Sequence, residues 1–401
     1  MTPTDEQGIA EAILAAHDAR EPLAIIGRNS KRGLLRPLET IRGQAARTLS
    51  TQNLTGITLY SPSELIISAR AGTTLAELEA AIAANGQHII AEPPDFTALF
   101  GQAQPQTIGG VVAANLSGPR RIAWGAMRDH VMGVRAINGT GESIRSGGRV
   151  LKNVTGLDLS KLLTGSHGTL AVLTEITLKV LPAPEQRATL VLRGLNPARA
   201  VAALAAALGS PYAVSAAAYL PAAQAGFIPG IGPGPVALVR IEDFAPSVAY
   251  RTARLRADLA EFAPADILDD TQSRLAWSAI RDAAPFAGMQ GAIWRVSVRP
   301  SRGPAVAEAL EQTFGAAWFL DWGGGLAWIA GPATAEAHAA VAATAARHGG
   351  THTLFRAPET LRAAVAVIPP EPAALAAITR RVKAAFDPRG ILNPGRMHAG
   401  V

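Results

Sequence analysis

The sequence predicts an α+β chain in three parts: a first domain over residues 1–182, an α+β cap over 188–360, and a closing helix and tail over 372–401. Three observations carry that prediction. Apolar runs of strand length alternate with helices that bear capping residues at their starts. Glycine-bearing turns recur at Gly109 and Gly110, at Ser117 and Gly118, and across 165–168, each beside an apolar run. A Pro-rich linker, 181–185, then precedes a stretch in which Ala-rich helices alternate with strands, as in a domain with helices on one side of a sheet.

The elements follow in order. Residues 5–19 make a short helix, and its amphipathic stretch, flanked by Glu11 and Asp18, suits a surface rather than a signal sequence. Pro22 starts a strand over 23–26 that ends in Gly27-Arg28-Asn29-Ser30-Lys31-Arg32-Gly33, a loop with the composition of an anion cradle. Strands are expected over 57–60 and 65–69. Thr73 or Thr74 then caps a helix with Leu75, Leu78, Ala81 and Ile82 on one face, which Asn85-Gly86 ends.

A polar loop carrying Pro105 delivers the chain to Thr107, placed to N-cap a helix that opens Ile108-Gly109-Gly110. Residues 115–129 have neither helical nor strand period, and a long irregular loop in a compact domain usually has a task. A hairpin follows over 130–138 and 142–146, then Asp158, placed to cap a short helix bearing Lys161. The turn 165–170 leads into a buried-type strand over 171–180. In the cap, strands are expected at 189–193, 236–241, 293–298, 318–322, 326–330 and 353–356, and helices at 198–208, 248–262, 305–314 and 335–348. Residues 372–386 form the last helix.

A single Gly-Gly is usually only a turn. Three such turns with Thr, Asn and Ser interleaved point instead to clustered backbone N–H donors facing an anion, with a pyrophosphate as the expected guest.

Composition narrows the chemistry. The absence of cysteine excludes disulfides, thiolate metal sites, iron-sulfur ligation and a cysteinyl bond to a flavin. The net charge of +6 is spread along the chain without a basic block interleaved with aromatics, so no nucleic-acid partner is expected. No apolar run reaches the roughly 18 residues a spanning helix needs, and a cytoplasmic location is expected, any attachment to the inner membrane being made through partner subunits.

The loop 27–33, the stretch 104–179 and the tail Phe386-Asp387-Pro388-Arg389-Gly390-Ile391-Leu392-Asn393-Pro394-Gly395-Arg396-Met397 resemble the vanillyl-alcohol oxidase family of PCMH-type FAD-binding flavoproteins, and within it the branch of FAD-binding accessory subunits of bacterial glycolate oxidases. The resemblance implies a two-subdomain FAD-binding domain, a cap, and a tail that returns to the flavin domain. It implies FAD held without a covalent bond, since the loop offers no histidine for the histidyl-flavin bond of some relatives.

By the same resemblance the cofactor is contacted by Gly27, Arg28, Asn29, Ser30 and Lys31; by Pro105, Thr107, Ile108, Gly109 and Gly110; and by Asn115, Ser117, Gly118, Gly125, Arg128 and Asp129. Gly156, Asp158, Lys161, Gly165, Gly168, Thr169, Leu170, Glu175, Ile176 and Asn393 complete the expected set. His167 stands where the family more often has Glu, and is read as a solvated or hydrogen-bonded turn histidine.

The cap lacks the His-x-Gly-Asp-Gly-Asn-x-His metal motif of relatives that oxidise 2-hydroxy acids. The nearest passage, 347–352, offers only His348 and His352, so no metal site is expected. Arg295 and Arg356 are equal candidates for a substrate carboxylate clamp or for ordinary strand arginines. No catalytic residue is assigned. The resemblance implies an FAD-binding subunit of a glycolate oxidase-like complex, working with a catalytic flavin subunit and an iron-sulfur subunit. The alternatives are a self-sufficient hydroxy-acid or alcohol oxidoreductase and a non-catalytic assembly subunit.

Overall fold

A computed structural model describes residues 1–148 and 157–401 of the chain. Helix α1 (Glu6–Ala19) starts at Asp5, whose side chain accepts the Gly8 N–H at 2.8 Å, and it buries Ile9, Ile13 and Ala16. Strand β1 (Leu23–Ile26) runs parallel to β2 (Arg47–Ser50). On its other side Leu23 bridges Leu392 of the tail, donating to the Ile391 carbonyl at 2.7 Å and accepting from the Asn393 N–H at 3.0 Å. The first small subdomain is therefore closed by the far end of the chain, and Leu23, Leu49, Ile391 and Leu392 share one core.

The second subdomain is an antiparallel sheet of β3 (Ile57–Ser61), β4 (Ile66–Arg70), β5 (Val131–Asn138), β6 (Ser143–Gly147) and β7 (Ala171–Lys179), in the order β3-β4-β7-β5-β6. The central β7 is buried along most of both faces because both are covered. Helix α2 (Leu75–Ala83) begins at Thr74 with a reciprocal capping box to Glu77 and buries Leu75, Leu78 and Ile82. Helix α3 (Ile108–Ala113) begins at Thr107, as its sequence predicts. The irregular stretch 115–129 contains two single helical turns, Arg121–Trp124 and Met127–His130, too short to leave a period in the sequence. Gly156 lies outside the described residues.

The cap sheet contains β8 (Gln186–Arg193), β9 (Val214–Leu220), β10 (Val236–Asp243), β11 (Ala265–Leu268), β12 (Ala292–Ser297), β13 (Ala317–Asp321), β14 (Leu326–Gly331) and β15 (Thr351–Arg356). They pair antiparallel in the order β11-β8-β10-β9-β13-β14-β12-β15, two halves meeting at Tyr219 opposite Leu320. Strands β9 and β11 and the helix Asp270–Arg281 go beyond the sequence expectation. In β9 the run Ala216, Ala217 and Ala218 favours helix by propensity. All three are fully buried, and tertiary burial overrides that preference.

The linker 181–185 is tied down, with Leu181–Pro182 pairing to Gln87–His88. Beyond it, buried ion pairs lock cap to first domain. Arg240 on β10 grips Glu92 with two bonds of 2.9 Å, and Arg120 grips Glu242 at 2.9 and 2.7 Å. Arg120 also lies 2.9 Å from His88 Nδ1. Burial, then the nearby Arg120, pushes the His88 imidazole down to about 3, so it accepts as a neutral ring. The closing helix α4 (Ala373–Phe386) buries Lys383, whose Nζ donates to Asp387 at 2.8 Å and to the carbonyls of Thr169 at 2.7 Å and Leu392 at 2.9 Å.

Candidate cofactor site

Where β1 ends, the loop from Gly27 meets the start of α3. Thr107 Oγ1 accepts the Gly110 N–H at 3.2 Å, and Gly27 packs so tightly on it that a Cβ there would lie 2.5 Å from that oxygen. Above this contact opens a cavity of about 400 Å³, lined by Gly27, Arg28, Asn29, Ser30 and Lys31, by Thr107 and Gly110, and by Asn393. The expected residues from three distant segments thus converge on one space.

Its electrostatics are one-sided. Lys31 Nζ lies 3.3 Å from Ser30 Oγ and from Gln106 Oε1, and no carboxylate stands within 4 Å of it among the described residues. Burial pushes this lysine down to about 8 against the weaker pull of Asp95. Arg396 donates to the Arg36 carbonyl at 2.8 Å, and burial together with the charges of Arg362 and Arg32 pushes it down to about 10. Arg28 Nε is buried without a partner. Glu359 is the only carboxylate among the lining residues. A half-buried set of cations short of counter-charge, with glycines that let backbone come close, fits a diphosphate.

Asn393 fixes one wall. At φ 42° its side chain accepts the Ile25 N–H at 2.8 Å and donates to the His167 carbonyl at 2.8 Å. His167 sits in a left-handed turn at φ 52° and lines the same cavity. Burial, reinforced by Arg396, pushes it down to about 3. The ring is neutral, and the residue is a half-buried turn histidine on the cavity wall.

A second group gathers past the C-terminal end of α3. Asn115 Oδ1 accepts the Arg128 N–H at 3.0 Å, Ser117 Oγ accepts the Met127 N–H at 2.8 Å, and Asp129 accepts the Ala126 N–H at 2.8 Å. Gly125 at φ 84° and Gly165 at φ 87° border them, and a Cβ on Gly165 would lie 3.3 Å from that of Asn115. Gly168, at φ 70°, backs onto Asn393. Arg128 and Asp129 are both exposed and stand 4.0 Å apart.

Other expected contacts are held by the fold itself. Ile108, Leu170 and Ile176 point into the core. Gly109 donates to the Ala71 carbonyl at 2.9 Å, and a Cβ on it would meet Ala71 at 2.8 Å. Gly118 donates to the Ala91 carbonyl, with Glu92 O 2.3 Å from where its Cβ would be. Asp158 caps its helix and pairs with exposed Lys161 at 3.1 Å. Thr169 donates to the Ser166 carbonyl, Glu175 faces Arg70 and Arg135 on neighbouring strands, and Pro105 is exposed outside the cavity.

Sequence reasoning passed over Arg362 and Arg396. The tail motif Asn-Pro-Gly-Arg carried a signal for Arg396, whereas Arg362 arrives only through folding, its Nη1 donating to the Leu35 carbonyl at 2.8 Å. The two cap candidates also separate. Arg356 donates to the carbonyls of Leu99, at 2.9 Å, and of Met289. The Arg295 side chain makes no hydrogen bond or ion pair among the described residues. His352 packs against His338, ring centroids 5.3 Å apart, with no further metal-ligating side chain grouped there among the described residues.

Comparison with known proteins agrees with this geometry. Residues 1–147 match the family model described as FAD binding domain, and residues 371–397 match FAD linked oxidases, C-terminal domain. The chain is 36% identical over 397 residues to the glycolate oxidase subunit GlcE of Escherichia coli, covering 98% of this chain and 97% of that one. It is 39% identical over 99 residues to the glycolate oxidase subunit GlcD of Bacillus subtilis, covering 25% of this chain and 20% of that one. The fold matches 4-ethylphenol oxidase from Gulosibacter chungangensis with a TM-score of 0.73 at 14% identity, over 99% of this chain and 88% of the other.

Proposed function

We propose, on the premise that this chain belongs to the FAD-linked oxidase family with the PCMH-type fold and is an FAD-dependent oxidoreductase, that it is the FAD-binding subunit of a glycolate oxidase-like complex. In that complex a separate flavin subunit oxidises glycolate to glyoxylate, and an iron-sulfur subunit carries the electrons onward. The observation that supports this most is likeness along nearly the whole length to a relative named as a glycolate oxidase subunit.

In this reading Lys31, Arg28 and Arg396 hold the diphosphate of FAD, with Gly27 and Gly110 giving it room beside Thr107. The shelf formed by Asn115, Ser117, Gly125 and Gly165 carries the flavin end. The bound flavin supplies the capacity to take up an electron pair and pass it on. The chain's own residues bind and orient it, and Asn393, fixed by the tail, closes the wall.

The test is an anaerobic visible spectrum of the purified chain before and after glycolate, repeated with the partner subunits present. The flavin band of the lone chain is expected to stay unchanged, and that of the assembled complex to bleach. A lone chain that bleaches at the rate of the complex would overturn the division of labour in favour of a self-sufficient oxidoreductase. No flavin band after reconstitution would leave a non-catalytic assembly subunit. Among the described residues no helix is long and apolar enough to cross a membrane.

A further inference from the structure

The closing helix is packed on one side and bare on the other. Over its 14 residues α4 buries one, Lys383, whereas the 12-residue cap helix Gly303–Phe314 buries five. It is pinned at its C-terminal end, by the bond of Lys383 to Asp387 and by the Gly139 N–H, which donates to the Phe386 carbonyl at 2.8 Å. Nearer its start, Thr379 Oγ1 donates to Glu371 at 3.0 Å. A helix of this length draws most of its stability from an apolar face packed on something else.

The bare side carries such a face. Leu375 is 50% and Ile378 54% exposed. With half-buried Val382 and exposed Ala385 they fall at i, i+3, i+7 and i+10, the spacing of a helix–helix seam. Ala374 and Ala377 beside them are small, so a second helix can come close.

Charge selects the kind of helix. Between its ends α4 carries Arg380, Arg381 and Lys383 and no acid. Asp387 neutralises Lys383, whereas Arg380 and Arg381 are exposed and make no ion pair among the described residues. Arg381 directly precedes Val382, the flanking position from which a charge reaches across a helical seam. A second copy of this chain would set arginine against arginine there. Two large exposed apolar side chains without an exposed aromatic ring are little for a lipid surface, which suits a broader apolar face.

We propose that the outer face of α4 docks an acidic amphipathic helix of a partner subunit. Leu375, Ile378 and Val382 pack into that helix's apolar seam, and Arg380 and Arg381 pair with its carboxylates. The inference rests on the reading of the chain as a subunit of a glycolate oxidase-like complex, and it names the surface through which that complex forms. None of these residues lines the cofactor cavity, so substitutions on this face leave flavin binding intact.

The experiment is co-purification of the tagged, FAD-loaded full chain with the catalytic flavin subunit and the iron-sulfur subunit produced beside it. The natural chain is expected to capture them. Leu375→Glu combined with Ile378→Glu is expected to weaken capture about a hundredfold or more, the scale of two apolar side chains left in water. Its flavin content and melting temperature are expected to match those of the natural chain. Arg380→Glu combined with Arg381→Glu is expected to weaken capture about tenfold and to remove its decline with salt. Undiminished capture by the first variant overturns the docking face and leaves the complex standing. A natural chain that captures neither subunit overturns the complex, and this face with it. A lowered melting temperature in the first variant would show the face already packed within the chain and would also overturn the proposal. So would a natural chain that dimerises in sedimentation, or binds vesicles of anionic phospholipid, and loses that property in the first variant.

Discussion

Arg240 of the cap and Glu92 of the first domain meet in a two-pronged ion pair, 2.9 Å at each prong, with the arginine side chain 2% exposed. Arg240 also lies over the ring of Trp277 at 4.9 Å and 3.5 Å from Glu242. Removing one member leaves the other charge buried. Glu92→Gln is expected to destabilise the protein by about 3–5 kcal/mol, read as a lower midpoint in urea unfolding. Replacing both members with apolar residues should recover part of that loss.

Lys31 predicts a pH dependence for flavin binding. In the free protein burial holds it at about 8, below the ordinary 10.5 of a lysine. An anion seated beside it raises that value, so binding takes up a proton between the two, and FAD affinity falls as pH rises above about 8 by at most about tenfold per unit. Lys31→Met should bind FAD more weakly at pH 7 and show a flatter profile. The sign for stability is opposite: the unfolded chain holds the proton more tightly, so this lysine disfavours folding below about 8, and the penalty fades as pH climbs toward 10.5. Fluorescence titration from pH 7 to 9.5 and thermal melts over the same range separate the two effects.

Lys383 predicts that the tail and the cofactor wall fail together. Its Nζ satisfies the buried carboxylate of Asp387 and two carbonyls, and Asp387 in turn accepts the N–H groups of Ile391 and Leu392 at 3.1 and 2.7 Å. Lys383→Met keeps the stem but strands the carboxylate, at a cost of about 3–5 kcal/mol. Limited proteolysis should cut the last residues of the variant faster, and its FAD affinity should drop because Asn393 is no longer held against Ile25 and His167.

Much of the candidate site was legible because its local chemistry is written in short runs. Thr107 before Ile-Gly-Gly signals an N-cap, and Gly27 after an apolar run signals a turn at a strand end. What the sequence could not carry is convergence. Arg396 joins Lys31 once the tail folds back along β1, whereas Arg362 comes from the helical turn 359–364 that follows the cap, and nothing local marks it for the site. Arg295 and Arg356 look alike in sequence, each on a cap strand. Their neighbours divide them: carbonyls of Leu99 and Met289 satisfy Arg356, while aromatic rings surround Arg295. Strand β9 stayed hidden because alanine carries little strand signal until both faces of the strand are covered.

The most direct measurement is an equilibrium titration of the apoprotein with FAD, comparing the natural chain with Gly27→Val. A side chain at that position would press on Thr107 Oγ1, whose nearest approach to a Cβ there is 2.5 Å. The account predicts one FAD per natural chain and binding weakened at least about tenfold in the variant, with its circular dichroism unchanged. Equal affinity in the two proteins would contradict it and place the cofactor away from the Gly27 and Thr107 contact.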